Sequence, residues 1–198
     1  ASGDILVSDP AAERGVYLTE TYMVKTYNTN EDENIWSLCS TIILAVKPQK
    51  MPVILEELAG HKDYRIPVRK LVISIAAGYP IHKLEKILYS PLNEKEIQNL
   101  PIIRVMPNTP ALVQSGATGL YANAAVSEQQ RSLAESILRA VGLVVWVEDE
   151  ALMDTVTALS GSGPAYFFLF MEALQAAGEE HGLSAESAHL LAVQTAFG

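Results

Sequence analysis

The sequence holds a single cysteine, Cys39, which excludes an intrachain disulfide and a thiolate metal cluster. Its histidines, His61, His82, His181 and His189, are scattered without ligand spacing and read as surface or helix-end residues, so no metal site is expected. No Ser/His/Asp or Cys/His constellation stands out for nucleophilic catalysis, and Cys39 has no assigned basic partner. Basic charge is also scarce, since 14 Lys and Arg face 23 Asp and Glu and leave a net charge of −9. Nucleic acid and anionic membrane are therefore excluded as partners, because each requires a basic face; an anionic cofactor is still compatible, since local groups decide its binding. Nowhere does an apolar run reach the about 18 residues that cross a bilayer. The start, Ala1-Ser2-Gly3-Asp4, has neither the basic end nor the apolar stretch of a secretory signal. On these absences a soluble, cytoplasmic protein is expected.

What is present suits one large or two small domains: 198 residues, 49% hydrophobic and 19% charged, are enough to bury a core. Asp4 to Pro10 reads as a short buried strand closed by a turn, with Pro10 suited to opening a helix. Val24 to Tyr27 is a second short strand, followed by the polar loop Asn28-Thr29-Asn30 and by a helix over Glu31–Cys39 with Trp36 on its packed side. Thr41 to Val46 and Leu71 to Ile75 are continuous apolar runs rich in β-branched residues, the pattern of parallel strands covered on both faces. Helices are expected over Pro52–Leu58 and Pro80–Leu88, and strands over Ile102–Met106, Ala117–Ala122 and Leu143–Val147. Ser127 and Gln130 have capping-box spacing for a helix that Gly142 ends. Strands alternate with helices up to Val147 and only helices follow, which puts a domain boundary near Glu148.

The second part is organised around Ser160-Gly161-Ser162-Gly163-Pro164-Ala165-Tyr166, read as a tight hinge that ends the amphipathic segment Glu150–Leu159 and starts an almost wholly apolar helix. It is not a dinucleotide fingerprint, because the lead-in is helical and Tyr166 occupies the third glycine position. Upstream lies Arg104-Val105-Met106-Pro107-Asn108-Thr109-Pro110, and before it Ile75-Ala76-Ala77-Gly78 and Ala45-Val46-Lys47-Pro48. With these four motifs in this order, the sequence resembles the pyrroline-5-carboxylate reductases from about Ile5 to its last residue.

The resemblance implies an α/β Rossmann-like nucleotide-binding domain with a parallel sheet over residues 1–148, then the start of an all-α dimerisation domain over 149–198. It implies NAD(P)H-dependent reduction of 1-pyrroline-5-carboxylate to L-proline, with NADPH or NADH as cofactor, and a homo-oligomer built through the helical domain. The strand, glycine-rich turn and helix that open the family have no counterpart before Ile5, and the family's helical domain continues beyond Gly198. Both domains are accordingly expected to be incomplete, and the rival reading is a non-catalytic dimerising or regulatory relative that has lost the glycine-rich loop.

Ser8, Asp9, Asn30, Ala45, Val46, Lys47, Pro48, Ile75, Ala76 and Ala77 are the cofactor-binding candidates by the same resemblance, and Asn108 lies on the substrate side. Catalytic residues are left unassigned. In nucleotide-binding sheets an acidic residue closing the second strand takes the adenosine ribose hydroxyl, and a nearby Arg can take a 2′-phosphate. Asp9 and Arg14 are candidates for these parts, and simple capping of the next helix is the other reading of Asp9.

Overall fold

The structure, a computed structural model, describes residues 5–30, 38–60, 70–89 and 100–198. Its contacts divide it into two compact units, Ala1–Val105 with Ala122–Ala134, and Met106–Tyr121 with Glu135–Gly198.

In the first unit β1 (Leu6–Ser8) leads through α1 (Ala12–Tyr22) to β2 (Lys25–Tyr27), and the two strands pair in parallel as a two-stranded sheet. Next come β3 (Thr41–Leu44), a short 3-10 turn at Pro48–Lys50, α2 (Met51–Gly60), β4 (Leu71–Ser74), α3 (Ile81–Leu88) and β5 (Ile102–Met106). β3, β4 and β5 are parallel neighbours in that order, with Leu44 opposite Ser74 and Ser74 opposite Arg104. Every residue of β4 is buried, as are Ile102 to Val105 of β5, because β-branched runs fill both faces of a covered parallel strand. The helices follow suit. Met51, Leu55 and Leu58 of α2 and Ile81, Leu84 and Leu88 of α3 recur every three or four residues and are buried, each large apolar side chain contributing about 1.5–3 kcal/mol.

Two strands expected to be buried are not. β1 is half-exposed, and Ile43 in the middle of β3 is 47% exposed. β1 has only β2 beside it, and β3 is the edge of its sheet with β4 as its one neighbour, so less lies over their faces among the described residues. The helix expected over Glu31–Cys39 falls outside the described residues apart from Leu38 and Cys39. Cys39 itself is half-buried, and that burial raises its thiol pKa against the opposing pull of Lys70.

In the second unit β6 (Gly116–Ala122) pairs in parallel with β7 (Gly142–Trp146). Gly142 opens β7 at φ +149°, and a Cβ there would stand 2.1 Å from the Gly116 carbonyl oxygen, so both the backbone angle and the close approach require glycine. The connecting helix α4 (Glu128–Arg139), which belongs to the first unit up to Ala134, starts with the expected capping box: the Ser127 N–H donates to Gln130 Oε1 at 2.9 Å, and the Gln130 N–H donates to Ser127 Oγ at 3.3 Å.

The segment expected as a hinge does not break the chain. α5 (Leu152–Val156) runs straight into a π-helical turn at Thr157–Gly161 and then into α6 (Gly163–Glu180). The Thr157 hydroxyl donates to the Met153 carbonyl at 2.8 Å and the Ser160 hydroxyl to the Val156 carbonyl at 3.0 Å, while the Ser162 N–H reaches back five residues to the Thr157 carbonyl. Hydroxyls that fold back on the preceding turn widen the helix there rather than ending it. Pro164 sits in the first turn of α6, where its missing N–H costs nothing.

α6 turns at Gly182 into α7 (Ala185–Phe197), which Ser184 caps by accepting the Ser187 N–H. Small residues make the contact between the two helices. A Cβ on Gly178 would meet the Ala188 Cβ at 3.2 Å, and Ala188 and Ala192 are buried while Tyr166 to Phe170 of α6 and Leu190 and Leu191 of α7 are exposed.

Candidate cofactor site

β3 and β4 stop at the same level. Leu44 pairs with Ser74, and the N–H of Ile75 donates to the Leu44 carbonyl at 3.2 Å, so the turns that follow the two strands emerge side by side. The first is Ala45-Val46-Lys47-Pro48, in which Lys47 is extended at φ −61° and ψ 143° and Pro48 opens the 3-10 turn. The second is Ile75-Ala76-Ala77, ended by Gly78 at φ +66°, with the Ala76 N–H held by the buried Ser74 hydroxyl at 3.4 Å. Ala45, Lys47 and Ala77 are exposed. The methyl side chains of the exposed Ala45 and Ala77 leave room for a flat ring, and Lys47 adds an exposed cation.

Ser8, Asp9 and Asn30 lie at the ends of β1 and β2. Ser8 Oγ donates to Asn30 Oδ1 at 2.6 Å, and Asn30 Nδ2 donates to Glu57 Oε2 of α2 at 2.8 Å. This chain of bonds ties the two-stranded sheet to the helix that follows Lys47. The Asp9 N–H donates to the Tyr27 carbonyl at 3.0 Å and its carboxylate accepts the Ala11 N–H at 2.9 Å through Oδ1. A cleft of about 470 Å³ opens beside it, lined by Asp9, Ala12, Gly15, Thr19 and Thr26 among others. Glu57 had no sequence signal, because its partner Asn30 is 27 residues away.

Asn108 belongs to the second unit and makes two bonds there. Its Oδ1 accepts the Ala117 N–H at 2.8 Å and its Nδ2 donates to the Ser160 carbonyl at 3.0 Å. The Arg104–Pro110 motif is thereby clasped to the Ser160–Tyr166 motif, 52 residues on in the chain. That pairing uses the separate acceptor and donor atoms of one side-chain amide.

Parallel strands joined by helices, ending together in turns of small residues, define a Rossmann-like nucleotide-binding fold, here with a helical segment after it. The family model for pyrroline-5-carboxylate reductase dimerisation matches residues 150–198. A curated pyrroline-5-carboxylate reductase from Pseudomonas aeruginosa is 43% identical over 197 residues, covering 100% of this chain and 67% of the relative. A solved pyrroline-5-carboxylate reductase from Coxiella burnetii is 42% identical with a TM-score of 0.87, covering 100% of this chain and 68% of that one. The Plasmodium falciparum pyrroline carboxylate reductase, solved with NADP bound, is 30% identical with a TM-score of 0.79, covering 98% of this chain and 66% of that one. The chain belongs to the pyrroline-5-carboxylate reductase family, and it spans about two thirds of the length of the relatives it matches.

Proposed function

We propose that this chain carries the cofactor-binding part and the beginning of the dimerisation domain of a pyrroline-5-carboxylate reductase, an NAD(P)H-dependent oxidoreductase that makes L-proline from 1-pyrroline-5-carboxylate. The observation that carries the reading is the side-by-side emergence of Ala45–Pro48 and Ile75–Ala77 from adjacent parallel strands, since ligands of such sheets sit at the carboxyl ends of the strands. When bound, the nicotinamide supplies the hydride that reduces the imine.

The residues present fit such a group. Ala45 and Ala77 give it small, exposed residues to lie against, Lys47 a charge for a phosphate or ribose oxygen, and Ser8 and Asn30 a hydrogen-bonding wall. Asn108 orients the Pro107–Pro110 loop on the substrate side by its bonds to Ala117 and Ser160. The nucleotide-binding domain covers residues 1–148 and the helical domain 149–198, an assignment supported by the dimerisation match from residue 150. Homo-oligomerisation proceeds through the helical part. Among the described residues no helix is long and apolar enough to cross a membrane, and the cytoplasm, where the reduced cofactor is supplied, is the compartment of the reaction.

The deciding experiment is loss of nicotinamide absorbance when pyrroline-5-carboxylate is added to the full-length gene product. Turnover is expected. An inactive full-length protein would favour the non-catalytic, dimerising relative, and turnover by residues 1–198 alone would show that the site has been misplaced.

A further inference from the structure

Resting on the reductase reading, we propose that this enzyme selects NADH over NADPH, and that Asp9 is the residue that selects. Asp9 closes β1 and uses one carboxylate oxygen on the Ala11 N–H. That leaves the second oxygen of the carboxylate as an acceptor for an incoming donor. A ribose diol offers two hydroxyl donors to a carboxylate, whereas a 2′-phosphate brings more negative charge and only acceptors.

The surroundings point the same way. Ser8 has only one hydroxyl proton and it is spent on Asn30 Oδ1 at 2.6 Å, while one proton of the Asn30 amide is spent on Glu57 Oε2 at 2.8 Å. The chain of bonds that starts at Ser8, next to Asp9 in sequence, thus ends on a second carboxylate, that of Glu57. A phosphate at this position needs a cation. Arg14 is the one basic residue in α1, but Ala12, Gly15, Val16 and Thr19 form the face of that helix that lines the cleft beside Asp9. At about 100° per residue Arg14 lies on the opposite face. Lys25, at the other end of β2 from Asn28, has its ammonium over the Tyr27 ring at 5.1 Å.

The test is direct titration of the full-length protein with NADH and with NADPH, followed by nicotinamide fluorescence in the absence of substrate. NADH should bind at least about tenfold more tightly, the scale expected of a dianion brought near a partly solvated carboxylate. Asp9→Asn keeps the acceptor for the Ala11 N–H and removes the charge; it should narrow the ratio several-fold, chiefly by improving NADPH. Arg14→Ala should leave the ratio unchanged. NADPH binding as tightly as NADH, an unaltered ratio in Asp9→Asn, or a selective loss of NADPH in Arg14→Ala would each overturn the inference while leaving the reductase reading intact. Binding of neither dinucleotide would overturn the reductase reading and the inference together.

Discussion

β4 and β5 with the inward faces of α2 and α3 bury their large apolar side chains within the chain, whereas the α6–α7 pair buries alanines and presents its phenylalanines. Leu55, Leu84 and Ile102 are fully buried, while Phe167 is 70% exposed and Phe170 is 63% exposed. Both regions are written in apolar residues, yet only the first is completed by its own neighbours. In the second, small residues set the distance between two helices and the large ones face outward, the reverse of an ordinary helical core. An exposed aromatic surface of this kind belongs to a permanent interface, in agreement with the dimerisation family that matches these residues.

The sharpest way to break the contrast is to put a charge where the partner should lie. Phe168→Glu or Phe170→Glu in the full-length protein should dissociate or unfold the oligomer, because an unpaired carboxylate buried in an interface costs several kcal/mol. Light scattering at micromolar concentration reads the result, and a wild-type protein that stays a stable monomer with folded helices would remove the premise. Next in size, Leu84→Ala should cost about 2–5 kcal/mol of stability at any protein concentration, as expected for a cavity left in a closed core. Phe167→Ala should instead act through association, giving a melting temperature that depends on concentration more steeply than in the parent. Equal, concentration-independent losses in both variants would erase the distinction between the regions.

Two smaller effects probe the strand ends. Asn108→Ala leaves the Ala117 N–H and the Ser160 carbonyl without their partner and should destabilise the protein by about 1–3 kcal/mol in urea titration. An unchanged midpoint would mean that solvent replaces both bonds. Lys47→Ala should weaken cofactor binding by roughly 1 kcal/mol, in keeping with a charge at a partly exposed site. If affinity is unaffected in a direct titration, Lys47 is no more than a solvated residue at a strand end.

Much of the fold was legible because its signals are local. The runs at Leu71–Ser74 and Ile102–Met106 are apolar enough to call for a covered strand, and the Ser127–Gln130 box acts over three residues. The π-helical turn at Thr157–Gly161 was not legible, since two glycines and two serines signal a break by composition. The outcome depended on Thr157 and Ser160 bonding back to carbonyls of α5. Exposure of Ile43 was equally hidden, for an apolar run states what a strand would bury and not what lies beside it. Of the candidate site, the turns after β3 and β4 were readable as strand ends, but the bonds from Ser8 through Asn30 to Glu57 and from Asn108 to Ser160 were not.

The sequence alone determined the alternation of strands and helices, the acidic balance of charge, and the four motifs that carry the family. Those properties are written in periodicity, composition and short spacings, which need no knowledge of neighbours. Only the tertiary structure decided that β3 and β4 end beside each other, that Asn108 clasps two distant motifs, and that α6 and α7 meet through Gly178, Ala188 and Ala192 with their aromatics outside. Each of these is a contact between residues far apart in the chain, and a hydrogen bond or packing distance across such a gap is fixed by the geometry of the whole fold rather than by any stretch of it.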